Sequence, residues 1–497
     1  MTMTLHIIPD WHDYSMILPE FNDSIHQAQL FLSQNQQVEL ILVDFLPNLR
    51  GILAEKNIEA VSTWSVYDFL QQVRLQAVKP VALMDFSWPA GAQFIDLPDR
   101  VIVRVADAHY ATVWLDMLTR SRFERIDLMS DNQRIQELMI DDRGFVSRVT
   151  SFDKENHSAT KVDYLTPSGQ VAMQQDLETG HVVTKQLWTM QTHFDNLSQV
   201  LAAALNDHLQ HVPETDYLIF AQSQLTQFLV KHVSPQQPTI FSYQAQRTRA
   251  QLERHVLLEK PEQVDFSVVD TLKQSEIIVK HGYQSDDMMV IPPYVTDIKA
   301  SSQATMPIVP IYWSAKELTV AVFSIVSQIV AHYSNVILLV ETSQNHEVYD
   351  DMIEAASLSA ANEHGLIDEN SQQSYKARFQ FLPPQNEASR QRYMSNVRLL
   401  IDLDDIPDHH LQATALTYGI PQINRVQTDY MVPGGNGQLV TNDEQIPTAL
   451  HFYLDDYANV DKSRVVAIEM SQASNEEMLW IKWQQVFNKI KQGGHQK

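Results

Sequence analysis

Leu411 to Val440 reads LQATALTYGIPQINRVQTDYMVPGGNGQLV. The run up to Tyr418 is helical in character and stops at Gly419, the residue type that most readily takes the left-handed conformation closing a helix. Pro421 to Asn424 follows as a short strand, and Asn436-Gly437 turns the chain into Gln438 to Val440. Upstream, a helical run from Val320 to Val330 precedes apolar strands at Asn335–Glu341, Arg378–Leu382 and Val397–Asp402. Continuous apolar strands alternating with helices belong to a parallel sheet covered on both faces, so this half is α/β. Downstream, Ser474 with Glu477 reads as a capping box. The helix it opens puts Leu479, Trp480, Trp483, Val486, Phe487 and Ile490 on one apolar face.

The N-terminal half opens the same way, with a strand at Leu5–Pro9, a helix at Asp23–Leu32 and a strand at Val38–Phe45. From Val81 to Thr184 the period changes. Short runs at Val101–Val105, Tyr110–Leu115, Phe123–Met129, Phe145–Phe152, Lys161–Leu165 and Gln170–Gln175 are separated by turns such as Asp142-Arg143-Gly144 and Pro167-Ser168-Gly169. This predicts an inserted antiparallel sheet. Helical spacing returns at Leu197–Leu209, and strands at Tyr217–Phe220, Thr239–Tyr243 and Glu276–Lys280 resume the first α/β domain. Met289–Val295 with its two prolines and the polar run after it end that domain. The expected organisation is a first Rossmann-like domain in two parts (1–84 and 191–300), an inserted β-sheet domain (85–190), a second Rossmann-like domain (301–470) and a C-terminal helix (471–497).

Composition excludes several classes. With 61 acidic against 36 basic residues the chain carries a formal charge of −25, which repels nucleic acid and anionic lipid. It has no cysteine, hence no disulfide and no thiolate ligand or nucleophile. No basic leader precedes the first apolar stretch, and no apolar run is long enough to span a bilayer, so a cytoplasmic protein is expected. The 13 glycines in 497 residues are under half of the usual ~7%, which disfavours phosphate cradles. No Walker loop, Gly-x-Ser-x-Gly or zincin motif is present, and no metal or cofactor is expected.

The order helix, Gly-x-Pro, strand, Asn-Gly-x-Leu-Val resembles the late donor-site region of retaining GT-B glycosyltransferases. The resemblance implies a GT-B-like fold: two Rossmann-like domains, the extended sheet inserted in the first, and a crossover helix at the C-terminus. It also implies two glutamates, eight positions apart, holding the ribose and the transferred sugar. The matching positions here are Thr414 and Ile406, neither of which is a carboxylate. Such enzymes also place an Arg and a Lys after the first strand of the second lobe and a glycine pair after the first strand of the chain. The comparable stretches are Tyr312–Glu317 (YWSAKE), with Lys316 as its one cation, and Pro9–Tyr14 (PDWHDY), without glycine. Neutralising a leaving diphosphate is most of what that site contributes, so a body of this type without enzymatic activity is expected.

The chain is also similar to the first of the accessory Sec system proteins of Gram-positive bacteria. The similarity rests on Ile8–Trp11, FNDSIHQAQLF at Phe21–Phe31, Val38–Arg50, Ser65–Leu70, Asp85–Pro89, DYLTPSG at Asp163–Gly169 and GIPQINRVQTDY at Gly419–Tyr430. It implies a cytosolic complex with the second and third accessory proteins, peripheral at the membrane through its partners. That complex would help the accessory SecA ATPase export glycosylated serine-rich-repeat adhesins.

Three groups of side chains are candidates for binding. Asp10 and Trp11, with His12, Asp13 and Tyr14, follow the first strand at the end where α/β sheets bind ligands, and Trp with Asp is a common sugar platform. Loop packing is the plainer reading. Thr428, Asp429 and Tyr430, with Asn436 and Gly437 after Gly434, would face an interlobe cleft as a glycan or partner contact, or simply hold the turn. Asp404, Asp405, Asp408, His409 and His410 have metal-ligating side chains but not the spacing of a known ligand set. Two other functions remain open to the sequence. One is a divergent glycosyltransferase recruiting Asp404 or Asp429; the other is a lectin-like module using Trp11.

Overall fold

In the computed structural model the described residues are 3–11, 21–74, 77–116, 120–185, 191–245, 247, 261–299, 307–316, 318–363, 365 and 369–493. Their strands pair into three sheets. The chain divides into two compact units, residues 1–268, 281–287 and 489–497, and residues 269–280 and 288–488.

The first sheet has seven strands in the order Met288–Val290, Phe266–Val269, Thr239–Tyr243, Tyr217–Ala221, Thr4–Ile8, Gln37–Leu42 and Ser62–Ser65. Pairing is parallel from Thr239–Tyr243 through to Ser62–Ser65. Tyr217–Ala221 and Thr239–Tyr243 are buried at every position, as strands covered on both faces must be. The expected strand at Glu276–Lys280 is instead the end of a helix, Leu272–Lys280. Its buried positions, Gln274 and Ile278, are four apart, which is helical spacing, while Val279 is exposed. The strand of this region is Phe266–Val269, whose four residues are all buried.

The inserted sheet runs from Gln93–Asp96 to His193–Phe194 as ten antiparallel strands laid side by side in chain order. One of its hairpins is fastened to the first α/β domain. At the turn between Gln133–Asp141 and Phe145–Phe152, the Asp142 N–H donates to Pro47 O and the Arg50 N–H to Asp142 Oδ2, both at 2.8 Å. The Arg143 guanidinium grips the Asp68 carboxylate with two bonds of 2.7 Å and Asp141 with bonds of 2.6 and 2.7 Å. Gly144 is required here: its φ is +88°, and a Cβ would lie 2.4 Å from Lys79 O. Burial, followed by the neighbouring Asp141 charge, pushes the Asp142 carboxyl up to about 6.

The second α/β sheet has six parallel strands in the order Phe379–Leu382, Val336–Glu341, Val309–Ser314, Leu399–Asp402, Gln422–Asn424 and Gly437–Leu439. Chain order reverses direction between Val309–Ser314 and Leu399–Asp402, so the topological switch point lies between these strands. Its principal core joins Ile311, Trp313, Phe323, Val326, Leu338 and Ile401. The last helix spans Glu476–Gln492 and is capped by Asn475, whose Oδ1 accepts from the Met478 N–H at 2.9 Å. Ser474, expected to be that cap, instead closes the preceding helix, Tyr457–Ala473.

Candidate functional site

In an open parallel sheet, ligands bind beyond the carboxyl ends of the strands at the switch point. Here those ends carry Lys316, Glu341, Asp402 and Asp404. Each sits where an apolar strand stops, so the polar group reaches the sheet's rim while the residues before it fill the core. The rim is closed by Arg390, on the helix Glu387–Met394. Arg390 Nε and Nη2 donate to Glu341 at 3.1 and 2.9 Å, and Nη1 donates to Asp408 Oδ2 at 2.8 Å. Glu341 also accepts from Tyr312 Oη at 2.6 Å and from the Gln385 N–H at 2.8 Å. Arg390, Glu341 and Asp408 are buried, so the guanidinium is committed to its two carboxylates.

Asp402 completes the network. Its Oδ2 accepts from the Asp408 N–H at 2.8 Å and Gln412 Nε2 at 2.7 Å, while Oδ1 has no hydrogen-bond partner among the described residues. Burial, reinforced by the Asp408 charge, pushes its carboxyl up to about 7. Burial acts on Asp408 in the same sense, but Arg390 and then Lys316 outweigh it and hold that carboxyl well below the ordinary range. Lys316 donates its N–H to Asp404 Oδ2 at 2.9 Å, and its Nζ lies 3.6 Å from Asp408. Among the described residues the rim thus gathers these four carboxylates with Arg390 and Lys316, and Arg425, following Gln422–Asn424, donates to Leu403 O at 3.0 Å and to Asp443 at 2.7 Å.

The five-residue acidic and imidazole cluster separates in space. Asp404 is held by Lys316, and Asp405 is exposed. Asp408 caps the helix His409–Tyr418 by accepting from the Leu411 N–H at 3.1 Å. His409 Nδ1 lies 3.7 Å from Asp270, which raises the imidazole's proton affinity against the opposing effect of burial. His410 stands edge-on to Tyr294 with ring centres 5.2 Å apart. Thr414 and Ile406 occupy the would-be glutamate positions. The Thr414 hydroxyl donates back to His410 O at 2.8 Å within its own helix, and Ile406 is half-buried before it.

Thr428, Asp429, Tyr430, Asn436 and Gly437 are brought together, largely by bonds between side chains and backbone. Tyr430 O accepts from Gln422 Nε2 at 3.2 Å and Asn436 Nδ2 at 3.0 Å, and Asn436 Oδ1 accepts from the Val432 N–H at 2.7 Å. Thr428 Oγ1 donates to Gln412 Oε1. The Tyr430 ring is fully buried against Tyr294, Leu416 and Ala467, which offers no open aromatic face to a sugar. A Cβ on Gly437 would lie 2.8 Å from both Gln422 O and Met431 Cγ, so only glycine fits beside the neighbouring strand. Burial raises the Asp429 carboxyl.

In the first unit, Trp11 is buried as well. Its indole Nε1 donates to Asn22 Oδ1 at 3.2 Å and its N–H to Asp44 Oδ2 at 3.0 Å. That is a packing role; stacking on a sugar would need an exposed ring. Asp10 is buried beside it. His12, Asp13 and Tyr14 lie outside the described residues. Sequence reasoning missed Arg390 and Glu341. Glu341 is detectable as a charge ending the run VILLVE, but the helix carrying Arg390 has no periodic signal.

The profile of the accessory Sec system protein family, first of the Asp proteins, matches residues 5–490. The chain belongs to that family. The member from Streptococcus gordonii is 25% identical, the alignment covering 96% of this chain and 95% of the relative. The crystal structure of accessory secretory proteins 1, 2 and 3 from Streptococcus pneumoniae contains a chain that superposes with a TM-score of 0.78 at 21% identity, over 99% of this chain and 100% of that one. The pneumococcal O-GlcNAc transferase GtfA, in complex with UDP and GlcNAc, gives a TM-score of 0.71 at 12% identity over 99% of both chains. The fold of this accessory Sec protein is therefore GT-B-like, with Rossmann-like domains. No described helix is long and apolar enough to cross a membrane.

Proposed function

We propose that the chain is a non-catalytic component of the accessory Sec export system. In this role it joins the second and third accessory proteins in a cytoplasmic complex, peripheral at the membrane through those partners. The complex supports the accessory SecA ATPase in exporting glycosylated serine-rich-repeat preproteins. The observation that carries the non-enzymatic part is the rim of the second sheet. A donor diphosphate there needs cations free to face it. Arg390 is already bound by Glu341 and Asp408, Lys316 Nζ lies 3.6 Å from Asp408, and Arg425 is bonded to Leu403 O and Asp443. In this reading the donor site is degenerate, its buried guanidinium serving internal packing rather than a nucleotide sugar. The complexes of related proteins support the assembly part. Affinity capture from a strain expressing the whole system tests it: the other accessory proteins and the ATPase are expected to co-purify. Recovery of the chain alone would count against the assignment.

A further inference from the structure

Among the described residues, Gln93–Asp96 is the outermost strand of the inserted sheet, paired on one side only. The Leu97 N–H donates to Arg100 O at 2.8 Å, which fixes the hydrogen-bonding phase of the hairpin. In an antiparallel pair, bonded positions alternate, so Leu97, Ile95 and Gln93 turn their backbone groups toward Arg100–Val105. Phe94 and Asp96 then direct N–H and C=O away from the sheet. The strand lacks several of the devices that blunt an edge. It has no Lys, Pro or bulge of its own, and Phe94, Ile95 and the following Leu97 are 41%, 44% and 43% exposed. Trp88 stands edge-on to Phe94 at 5.7 Å, supporting the ring from within. In the 3₁₀ turn Leu83–Asp85, beside Trp88, Met84 is 88% exposed. Asp96 is exposed, and no cation pairs with it among the described residues.

We propose that this edge receives an extended strand from a protein partner, adding an eleventh strand to the sheet. The proposal rests on the assembly reading above and names the surface for it. The occupant's chemistry follows from the edge. Backbone groups bond to Phe94 and Asp96, apolar side chains meet Phe94, Ile95 and Leu97, and a Lys or Arg stands opposite Asp96.

The absence of cysteine makes the test clean, because one introduced thiol is unique. Ile95→Cys, and as a control Val348→Cys at a 63% exposed site of the second unit, are labelled with a maleimide. Labelling is done on the full chain alone and after assembly with the second and third accessory proteins. Assembly is expected to slow Ile95→Cys labelling by about tenfold or more and leave the control unchanged. Asp96→Pro removes an outward N–H without touching the internal ladder, so it should keep its melting temperature but weaken assembly by about tenfold. Asp96→Ala keeps that donor and loses only the charge, so a smaller effect is expected. Equal labelling of both cysteines in an assembled complex, or full-strength assembly by Asp96→Pro, overturns the edge assignment alone. Protection of Ile95→Cys in the isolated chain at high concentration gives the edge to a second copy and also overturns it. Failure of the unmodified chain to assemble overturns the function proposed above and this inference with it.

Discussion

Asp402 and Gly437 show two ways in which a single residue is constrained. Asp402 is ordinary in sequence, the last residue of LLID, yet burial, followed by the Asp408 charge beside it, pushes its carboxyl up to about 7. In the unfolded chain it titrates near 4. Between those values only the folded state holds the proton, so this group's contribution to stability is present below pH ~4 and falls as pH rises toward ~7. Asp402→Asn keeps an acceptor for Gln412 and replaces the unpartnered oxygen with NH2. Chemical denaturation at pH 5 to 8 should find the variant's stability flatter with pH, and on the order of 2 kcal/mol above the parent at pH 8. Gly437 is constrained by contact alone: Gly437→Ala should cost about 1–3 kcal/mol, read as a lower melting temperature, since backbone on the neighbouring strand must give way.

At the scale of elements, what could be read from sequence followed the amount of apolar burial. Leu197–Leu209, Phe145–Phe152 and Thr239–Tyr243 have the bounds that periodicity predicts. Gln133–Asp141 was missed although it is a nine-residue strand, because its first six residues are at most half-buried and carry Gln, Arg and Glu. Tyr457–Ala473 was missed because its buried stripe is Ser463, Ala467 and Ser471, small residues four apart that leave no apolar signal. The hairpin fastening could not be read either: Asp141, Asp142 and Arg143 look like a solvated turn until Asp68 and Pro47 meet them. Arg143→Ala would leave Asp141 buried without its counter-charge and remove the two bonds to Asp68, while Asp142 keeps Arg50 and Arg122. It should cost about 3–5 kcal/mol. Hydrogen exchange should then rise first in Gln133–Asp141 and Phe145–Phe152; unchanged exchange there would contradict the fastening role.

At the scale of the molecule, the sequence carried the α/β class, the inserted sheet and the family, since each is spread over many residues. The candidate site was less legible. Thr414 and Ile406 pointed to lost carboxylates, but Trp11 and Tyr430, which resemble sugar platforms in sequence, are buried. The feature on which the proposed non-catalytic role rests, Arg390 between Glu341 and Asp408, joins residues 341, 390 and 408, whose proximity only the fold reveals. The formal charge of −25 adds a field unfavourable to any anionic donor.

Titration calorimetry of the full chain with UDP-GlcNAc tests the central claim most directly. No saturable heat is expected up to about 1 mM ligand. Saturable binding that disappears in Lys316→Ala would contradict the claim, because it would mean that the rim still receives a diphosphate.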